Sequence, residues 1–227
     1  MSRQYAESLL LGRRTEAASL LLELYEQNMP TKVFSGGFNI VICMDASGSM
    51  KGSRWSQLQR AVDKFLLKLS TDRNAVAHSV SVVTFDDQAR RVLDCVGIDQ
   101  ARAAEIPYTG GGTHFVPALN EARKSLESHG QQFKTPFILF MSDGYNSDGT
   151  DAVQALKELQ STFSNLVFYA VKLGTSPTLT LMARAVKGKV FETDNAMELS
   201  GIYRTIASDF LAERESNSRG RPKRACC

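Results

Sequence analysis

Long apolar runs are missing from this sequence of 227 residues, and their absence excludes helices that cross a bilayer. A membrane-spanning helix needs about 20 predominantly apolar residues in succession, and no stretch approaches that length. Disorder throughout is excluded by composition, because 43% of the residues are hydrophobic and can form a core. We therefore expect a soluble globular protein with one domain and tails.

Cysteine is also scarce, and its four residues are unevenly placed. Cys43 and Cys95 lie in apolar stretches, where we expect small buried side chains, whereas Cys226 and Cys227 end the sequence. The sequence has no CxxC pair of the kind that binds zinc, and its cysteine spacing does not resemble the disulfide framework of a small secreted domain. The apolar run at residues 9–11 is too short for a signal peptide. These absences predict a reducing, cytoplasmic location.

A large excess of one charge is missing from the body of the chain. Lys and Arg number 27 against 24 Asp and Glu, and four of the basic residues lie between Arg219 and Cys227. Removing those four from the net charge of +3 leaves −1 for residues 1–218. A nucleic-acid-binding protein usually carries its basic excess on the folded body, where it can follow a phosphate backbone. We therefore expect no nucleic acid as main partner.

From Phe38 onward, short β-branched or aromatic runs alternate with amphipathic stretches, which is typical of βαβ units. The alternation predicts an α/β fold, a Rossmann-like doubly wound and mainly parallel sheet with helices on both faces. Arg90 to Val96 follows the second predicted strand after too few residues for a crossover helix, which predicts an antiparallel edge strand. The other predicted strands are Phe38–Met44, Ser79–Phe85, Phe137–Met141, Leu166–Val171 and Val190–Glu192.

Apolar residues recur at spacings of three and four in segments that begin near Trp55, Phe115, Val153 and Leu199. This spacing predicts helices that pack on the sheet. A further stretch, Tyr5 to Glu26, has helical composition and either packs on the domain or binds a partner helix. The resulting domain prediction is a helical extension at 1–35, an α/β domain at 36–213, and a disordered basic tail at 214–227.

Three loops rich in oxygen donors lie where open α/β sheets place their ligand sites, at strand carboxyl ends or helix starts. They are Asp45-Ala46-Ser47-Gly48-Ser49, Gly110-Gly111-Gly112-Thr113 and Ser142-Asp143-Gly144. Oxygen-only donors select a hard cation such as Mg²⁺ or Mn²⁺ over zinc or copper. Two carboxylates would balance the charge of that ion, which could still attract one more anionic oxygen.

Each loop also has a purely structural explanation. The Asp45 loop could cap the helix that follows it, and the glycines could form a tight turn before Thr113 as helix N-cap. Asp143 and Gly144 form a common turn pair.

The three loops, in this order and spacing, resemble the metal-ion-dependent adhesion site (MIDAS) of the von Willebrand factor type A (vWA) domain family. The similarity covers roughly Phe38 to Leu211 and includes the alternation of strands and helices. The family resemblance implies an open metal position that takes a Glu or Asp carboxylate from a partner protein. In this family the closing helix often moves with ligand state, which makes movement of Leu199 to Leu211 a hypothesis here.

The resemblance also assigns roles to individual residues. It implies that Ser47, Ser49 and Thr113 coordinate the metal through their hydroxyls. Asp45 and Asp143 would hold it largely through water molecules. The expected function is therefore that of a divalent-cation-dependent protein-binding module.

Catalysis is not expected from these loops. A haloacid-dehalogenase-like phosphatase places a second aspartate two residues after the first, where this chain has Ser47. Gly110 to Phe115 lacks both the spacing and the lysine of a P-loop. A metal-dependent hydrolase thus remains a less favoured alternative, beside a metal-independent scaffold that binds partners through its N-terminal helices.

The basic tail, Arg219 to Cys227, has two interpretations. It could be a solvated tail with free cysteines. Alternatively, its four cations attract an anionic leaflet at roughly 1 kcal/mol each, and acyl chains on Cys226 and Cys227 supply a second signal. A terminal Cys-Cys resembles the ends of Rab-type GTPases, but their prenylation depends on a GTPase domain, and no CaaX pattern is present. Palmitoylation is therefore the favoured form of membrane tether.

Overall fold

The computed structural model describes residues 37–72, 75–129, 135–144 and 146–219. These residues form one six-stranded sheet with helices on both faces, which confirms the predicted fold class. The predicted N-terminal extension at 1–35 and residues 220–227 of the predicted tail, Cys226 and Cys227 included, lie outside the described residues.

The strands agree with the predicted ones to within two residues at each end. They are β1 (Phe38–Asp45), β2 (Ser79–Phe85), β3 (Ala89–Val96), β4 (Thr135–Ser142), β5 (Val167–Leu173) and β6 (Lys189–Thr193). The α-helices of the described residues are α1 (Ser53–Ser70), α2 (Ile98–Ala103), α3 (Phe115–His129), α4 (Gly149–Thr162), α5 (Pro177–Ala185) and α6 (Leu199–Arg219). Short 3₁₀ turns occupy Gly48–Met50, Ala75–Ala77 and Ala196–Glu198.

The strand order is β3-β2-β1-β4-β5-β6, and every neighbouring pair is parallel except β2 with β3. β3 is thus the antiparallel edge strand that the short connection predicts. The chain order reverses between β1 and β4, which are adjacent and parallel. In open α/β sheets ligands bind outside the carboxyl ends of the strands at such a reversal.

Side chains of the central strand alternate between two hydrophobic clusters, one on each face of the sheet. Ile40, Ile42 and Met44 join the cluster under α1, α2 and α6, whereas Val41 and Cys43 join the one under α3, α4 and α5. β1 is buried along its whole length, because helices cover both faces.

The closing helix α6 is anchored by aromatic packing. The Phe210 ring lies with its centroid 4.1 Å from that of Phe38 and 4.8 Å from that of Phe137. Phe210 is almost fully buried, and burial of such a side chain contributes about 1.5–3 kcal/mol. The start of β1 and the middle of β4 are therefore tied to this helix.

The two cysteines of the sheet differ. Cys43 is fully buried as expected, and burial raises the pKa of its thiol. The expectation of a buried Cys95 is wrong, because this residue is partly exposed at an irregularity in the β2–β3 pairing, with a φ of 54°. Its backbone N–H donates at 2.9 Å to the side-chain hydroxyl of Ser81 on the neighbouring strand β2.

Three helical features differ from the sequence prediction. The pattern did not predict α2 or α5, because both are too short to show a helical period; Pro177 at the start of α5 was the available signal. α6 continues to Arg219, so residues 214–219 of the predicted disordered tail are helical. Among the described residues, no helix combines the length and apolar character that a membrane span requires.

Candidate metal centre

Two of the three predicted loops meet because β1 and β4 are neighbouring parallel strands. Asp45 is the last residue of β1, and Asp143 directly follows Ser142, the last residue of β4. The pairing of Met44 with Met141 places both strand ends at the same edge of the sheet. The two carboxylates are thus brought together from positions far apart in sequence.

A chain of hydrogen bonds connects these carboxylates through the two serines. The Ser47 backbone N–H donates to Asp45 Oδ1 at 2.8 Å. The Ser47 and Ser49 hydroxyl oxygens lie 3.1 Å apart, and the Ser49 hydroxyl donates to Asp143 Oδ1 at 2.6 Å. Four of the five predicted metal residues therefore form one connected cluster.

The glycine loop that carries Thr113 lies against the Asp45 loop. The Gly110 N–H donates to the Ala46 carbonyl at 2.8 Å, and the Gly48 N–H donates to the Gly111 carbonyl at 2.9 Å. Gly111 has a φ of +114°, and a Cβ there would lie 2.7 Å from Asp87 Oδ2, so this position requires glycine. The Thr113 hydroxyl makes no hydrogen bond with a described residue, so its oxygen is available as a metal ligand.

The Thr113 loop is also held from the β2–β3 connection, which the sequence analysis did not single out. The Gly112 N–H donates to Asp87 Oδ2 at 2.9 Å, and the His114 N–H donates to the Asp86 carbonyl at 3.0 Å. His114 Nδ1 lies 3.7 Å from Asp87 Oδ1. These contacts fix the Thr113 loop against the β2–β3 connection.

The capping explanations for the loops are wrong. The Ser47 side chain makes no capping hydrogen bond, and α1 begins at Ser53 behind Gly52. At the start of α3, Asp148 takes the place proposed for Thr113, because its carboxylate accepts from the N–H groups of Phe115 at 3.0 Å and Val116 at 2.6 Å. The hydroxyls of Ser47 and Thr113 are thus not engaged in capping hydrogen bonds to the helices.

Asp45 lies in an environment that disfavours its charge. Its side chain is buried, and the Ser142 hydroxyl donates to Oδ2 at 2.5 Å. Burial raises the pKa of Asp45 to about 6, and the charge of Asp143 adds to the rise, while hydrogen bonds from Ser142 and Ser47 oppose it. A nearby cation would favour the charged form and stabilise this carboxylate.

Arg54 is a further member of the cluster that the sequence analysis missed. Its Nη1 donates to Asp143 Oδ2 at 2.7 Å and to the Ser49 carbonyl at 3.3 Å. The Asp143 side chain is only 1% exposed, whereas that of Arg54 is 51% exposed. The only sequence signal was a cation in the first turn of the helix after the Asp45 loop.

The donor set fits a hard cation. It consists of carboxylate and hydroxyl oxygens, which are ligands that Mg²⁺ and Mn²⁺ prefer. Within the described ranges, no group of three or more His, Cys, Asp and Glu residues could hold a metal. A site in this part of the chain therefore depends on hydroxyls beside its two carboxylates.

Comparison with known proteins agrees with this architecture. A family model for the von Willebrand factor type A domain matches residues 39–205. An uncharacterized protein of Methanocaldococcus jannaschii is 28% identical over 176 residues, which cover 74% of this chain and 38% of that protein. Human inter-alpha-trypsin inhibitor heavy chain H6 is 24% identical over 207 residues, covering 80% of this chain and 15% of that protein. The chain thus spans well under half the length of the curated relatives it matches.

Solved structures show the same fold. Proximal thread matrix protein 1 from the mussel byssus, in a structure described as having a zinc-occupied MIDAS motif, is 21% identical with a TM-score of 0.61, covering 79% of this chain and 46% of that one. A von Willebrand factor type A protein from Catenulispora acidiphila is 22% identical with a TM-score of 0.62, covering 77% and 42%. Because the family model matches most of its length, the chain belongs to the von Willebrand factor type A domain family.

Proposed function

We propose that this vWA domain is a protein-binding module that depends on a divalent cation. In this proposal Asp45, Ser47, Ser49, Thr113 and Asp143 hold Mg²⁺ or Mn²⁺, and the ion supplies a coordination position for a Glu or Asp carboxylate of a partner protein. The observation that carries the proposal is the hydrogen-bonded cluster that joins Asp45 to Asp143 through Ser47 and Ser49.

The residues around the donors would keep them in place. The Ser142 hydroxyl and the Ser47 N–H orient the two oxygens of Asp45. The Tyr108 hydroxyl donates to the Ser47 carbonyl at 3.1 Å and thereby holds the loop after β1 in place. Such supporting hydrogen bonds orient metal-binding side chains and increase their affinity.

The family resemblance and the chemistry of the donors both support this choice of ion. The mussel protein carries zinc in its motif according to the description of its structure, so zinc belongs in any titration. An all-oxygen donor set nevertheless favours Mg²⁺ or Mn²⁺. The proposal therefore predicts that Mg²⁺ and Mn²⁺ each bind in the absence of zinc.

The proposal has the domain act by binding and not by catalysis. Both carboxylates are engaged by hydrogen bonds from neighbouring residues, Asp45 with Ser142 and Asp143 with Ser49 and Arg54. This arrangement suits fixed ligands better than a base that must exchange protons with a substrate. Phosphomonoester turnover above that of a chelated control would contradict this part of the proposal.

A calorimetric titration tests the metal site. Mg²⁺ or Mn²⁺ should give binding heat with the wild type and none with Asp45→Ala. Asp99→Asn, which removes an exposed carboxylate in α2, is the matched control and should bind like the wild type. Equal heats from the wild type and Asp45→Ala would remove the site.

A capture experiment then tests the partner. Immobilised domain should retain proteins in Mg²⁺ and release them in EDTA, and Asp45→Ala should retain none of them. Partners that stay bound in EDTA would favour the alternative of a metal-independent scaffold. The cytoplasmic location and the lipid on Cys226 or Cys227 stay predictions from the sequence, since those cysteines lie outside the described residues.

A further inference from the structure

A cation of the protein itself already contacts the proposed metal site. One Arg54 nitrogen, Nη1, lies 2.7 Å from Asp143 Oδ2 and 3.3 Å from the carbonyl oxygen of Ser49. Both acceptor atoms belong to residues that would hold the metal. One is a side-chain oxygen of Asp143, and the other is the backbone carbonyl oxygen of Ser49. Arg54 is therefore close enough to influence any ion bound between Ser49 and Asp143.

The charges of the cluster leave a metal-loaded site positive. Asp45 and Asp143 can balance a divalent ion only if both of their charges are available to it. The Arg54 guanidinium takes up one of these charges through its pairing with Asp143. With the ion bound, these three side chains and the metal together carry one excess positive charge. That excess repels the metal and attracts an anion.

Arg54 has further donors that could serve an anion. A guanidinium carries five N–H groups, and the two on Nη1 point to Asp143 and Ser49. The groups on Nε and Nη2 have no acceptor among the described residues. Because about half of this side chain is exposed, these groups are accessible at the rim of the site.

We propose that Arg54 weakens metal binding at this site and keeps the metal-loaded site cationic, which favours capture of an acidic partner. The inference rests on the proposed function and names a residue that tunes it. Arg54 acts on the ion through Asp143 and through space and is not a metal ligand. Removal of its charge should therefore increase metal affinity.

Titration with Mn²⁺ alone tests the inference without a partner. Arg54→Gln should bind Mn²⁺ about fivefold more tightly than the wild type, a modest change because the arginine is half exposed. Arg54→Lys keeps the charge and should bind like the wild type. Arg60→Gln removes another exposed charge from the same helix, further from the site, and should also bind like the wild type.

A second measurement guards against a merely structural effect. In EDTA, Arg54→Gln leaves the buried Asp143 carboxylate without its cation, so its Tm should fall below that of the wild type. Saturating Mn²⁺ should raise the Tm of Arg54→Gln more than that of the wild type. High salt should reduce the difference in Mn²⁺ affinity between the two proteins, because ions screen the charge.

The outcomes separate this inference from the proposed function. Equal Mn²⁺ affinity in the wild type and Arg54→Gln, or weaker affinity in Arg54→Gln, overturns the inference and leaves the metal site intact. The absence of binding heat in every variant overturns both.

Discussion

The Ser49 hydroxyl donates a hydrogen bond of 2.6 Å to Oδ1 of Asp143, a residue 94 positions further along the chain. This bond connects the loop after β1 with the loop after β4 at the point where the strand order reverses. An exposed serine and a buried carboxylate are thus coupled before any ion binds.

Ser49→Ala should lower the affinity for Mn²⁺ by roughly tenfold or more, because the variant loses both a donor atom and the bond that orients Asp143. Calorimetric titration measures the effect. Ser56→Ala is the matched control, since the Ser56 hydroxyl donates to the carbonyl of Gly52, the residue before α1. Unchanged affinity in Ser49→Ala would exclude Ser49 from the site.

Asp45→Asn should stabilise the metal-free protein at neutral pH. The pKa of Asp45 is about 6 in the folded protein against an ordinary value of 3.8, so the folded state holds its proton more tightly than the unfolded state. The contribution of this carboxyl group to stability is therefore fully present at pH values below its ordinary pKa. That contribution is lost as the pH rises through the pKa of the folded state. Removing the charge should recover about 1–3 kcal/mol at neutral pH.

Thermal unfolding in EDTA checks this effect across the pH range. Asp45→Asn should have the higher Tm at neutral pH, and its advantage should shrink in acid, where the wild-type carboxyl is protonated. Asp99→Asn should show no such pH dependence. If Asp45→Asn is the less stable protein at neutral pH, its lost hydrogen bonds outweigh the charge and the prediction is wrong.

Gly111→Ala should displace the loop that carries Thr113. The added Cβ would lie 2.7 Å from Asp87 Oδ2, and the φ of +114° is unfavourable for alanine. We expect a loss of about 1–3 kcal/mol in stability together with weaker Mn²⁺ binding. Gly97→Ala is the control, because nothing lies within 4 Å of its added Cβ. Wild-type Mn²⁺ affinity in Gly111→Ala would show that the loop position does not matter to the ion.

Phe210→Ala should destabilise the fold and spare the metal site. The substitution removes a ring packed on Phe38 and Phe137, and such losses cost about 3–5 kcal/mol. Denaturant unfolding measures the loss, and Met197→Ala, at a side chain that is 74% exposed, should have little effect. A loss of Mn²⁺ binding by folded Phe210→Ala would instead link α6 to the metal site.

The double substitution Cys226→Ser and Cys227→Ser tests the predicted lipid tether. If these cysteines are palmitoylated, the variant should move from the membrane fraction of cells to the soluble fraction. Cys95→Ser alters a partly exposed cysteine of the sheet and should leave the distribution unchanged. An unchanged distribution of the double variant would remove the tether.

The alternation of apolar and amphipathic stretches was sufficient to predict the sheet and its antiparallel edge. The meeting of the Asp45 and Asp143 loops followed from it, because parallel neighbouring strands end at the same edge. A sequence shows its hydrophobic period and its turn-forming residues. These two signals locate the strands and the loops to within a few residues.

The remaining details depend on contacts that no periodicity encodes. Asp148 caps α3 from 33 positions away, and Arg54 pairs with Asp143 through a side-chain conformation that a sequence does not specify. The helices α2 and α5 are too short for a repeating pattern. In each case, tertiary neighbours decide what the local sequence leaves open.

The irregular pairing of β3 also has a consequence for copies of this domain held close together. Around Cys95 the outermost strand does not present an even row of backbone donors and acceptors, and Arg90 and Arg91 add charge beside it. Such an edge is a poor template for the same strand of a second molecule. Domains held close together would therefore not join their sheets readily through β3.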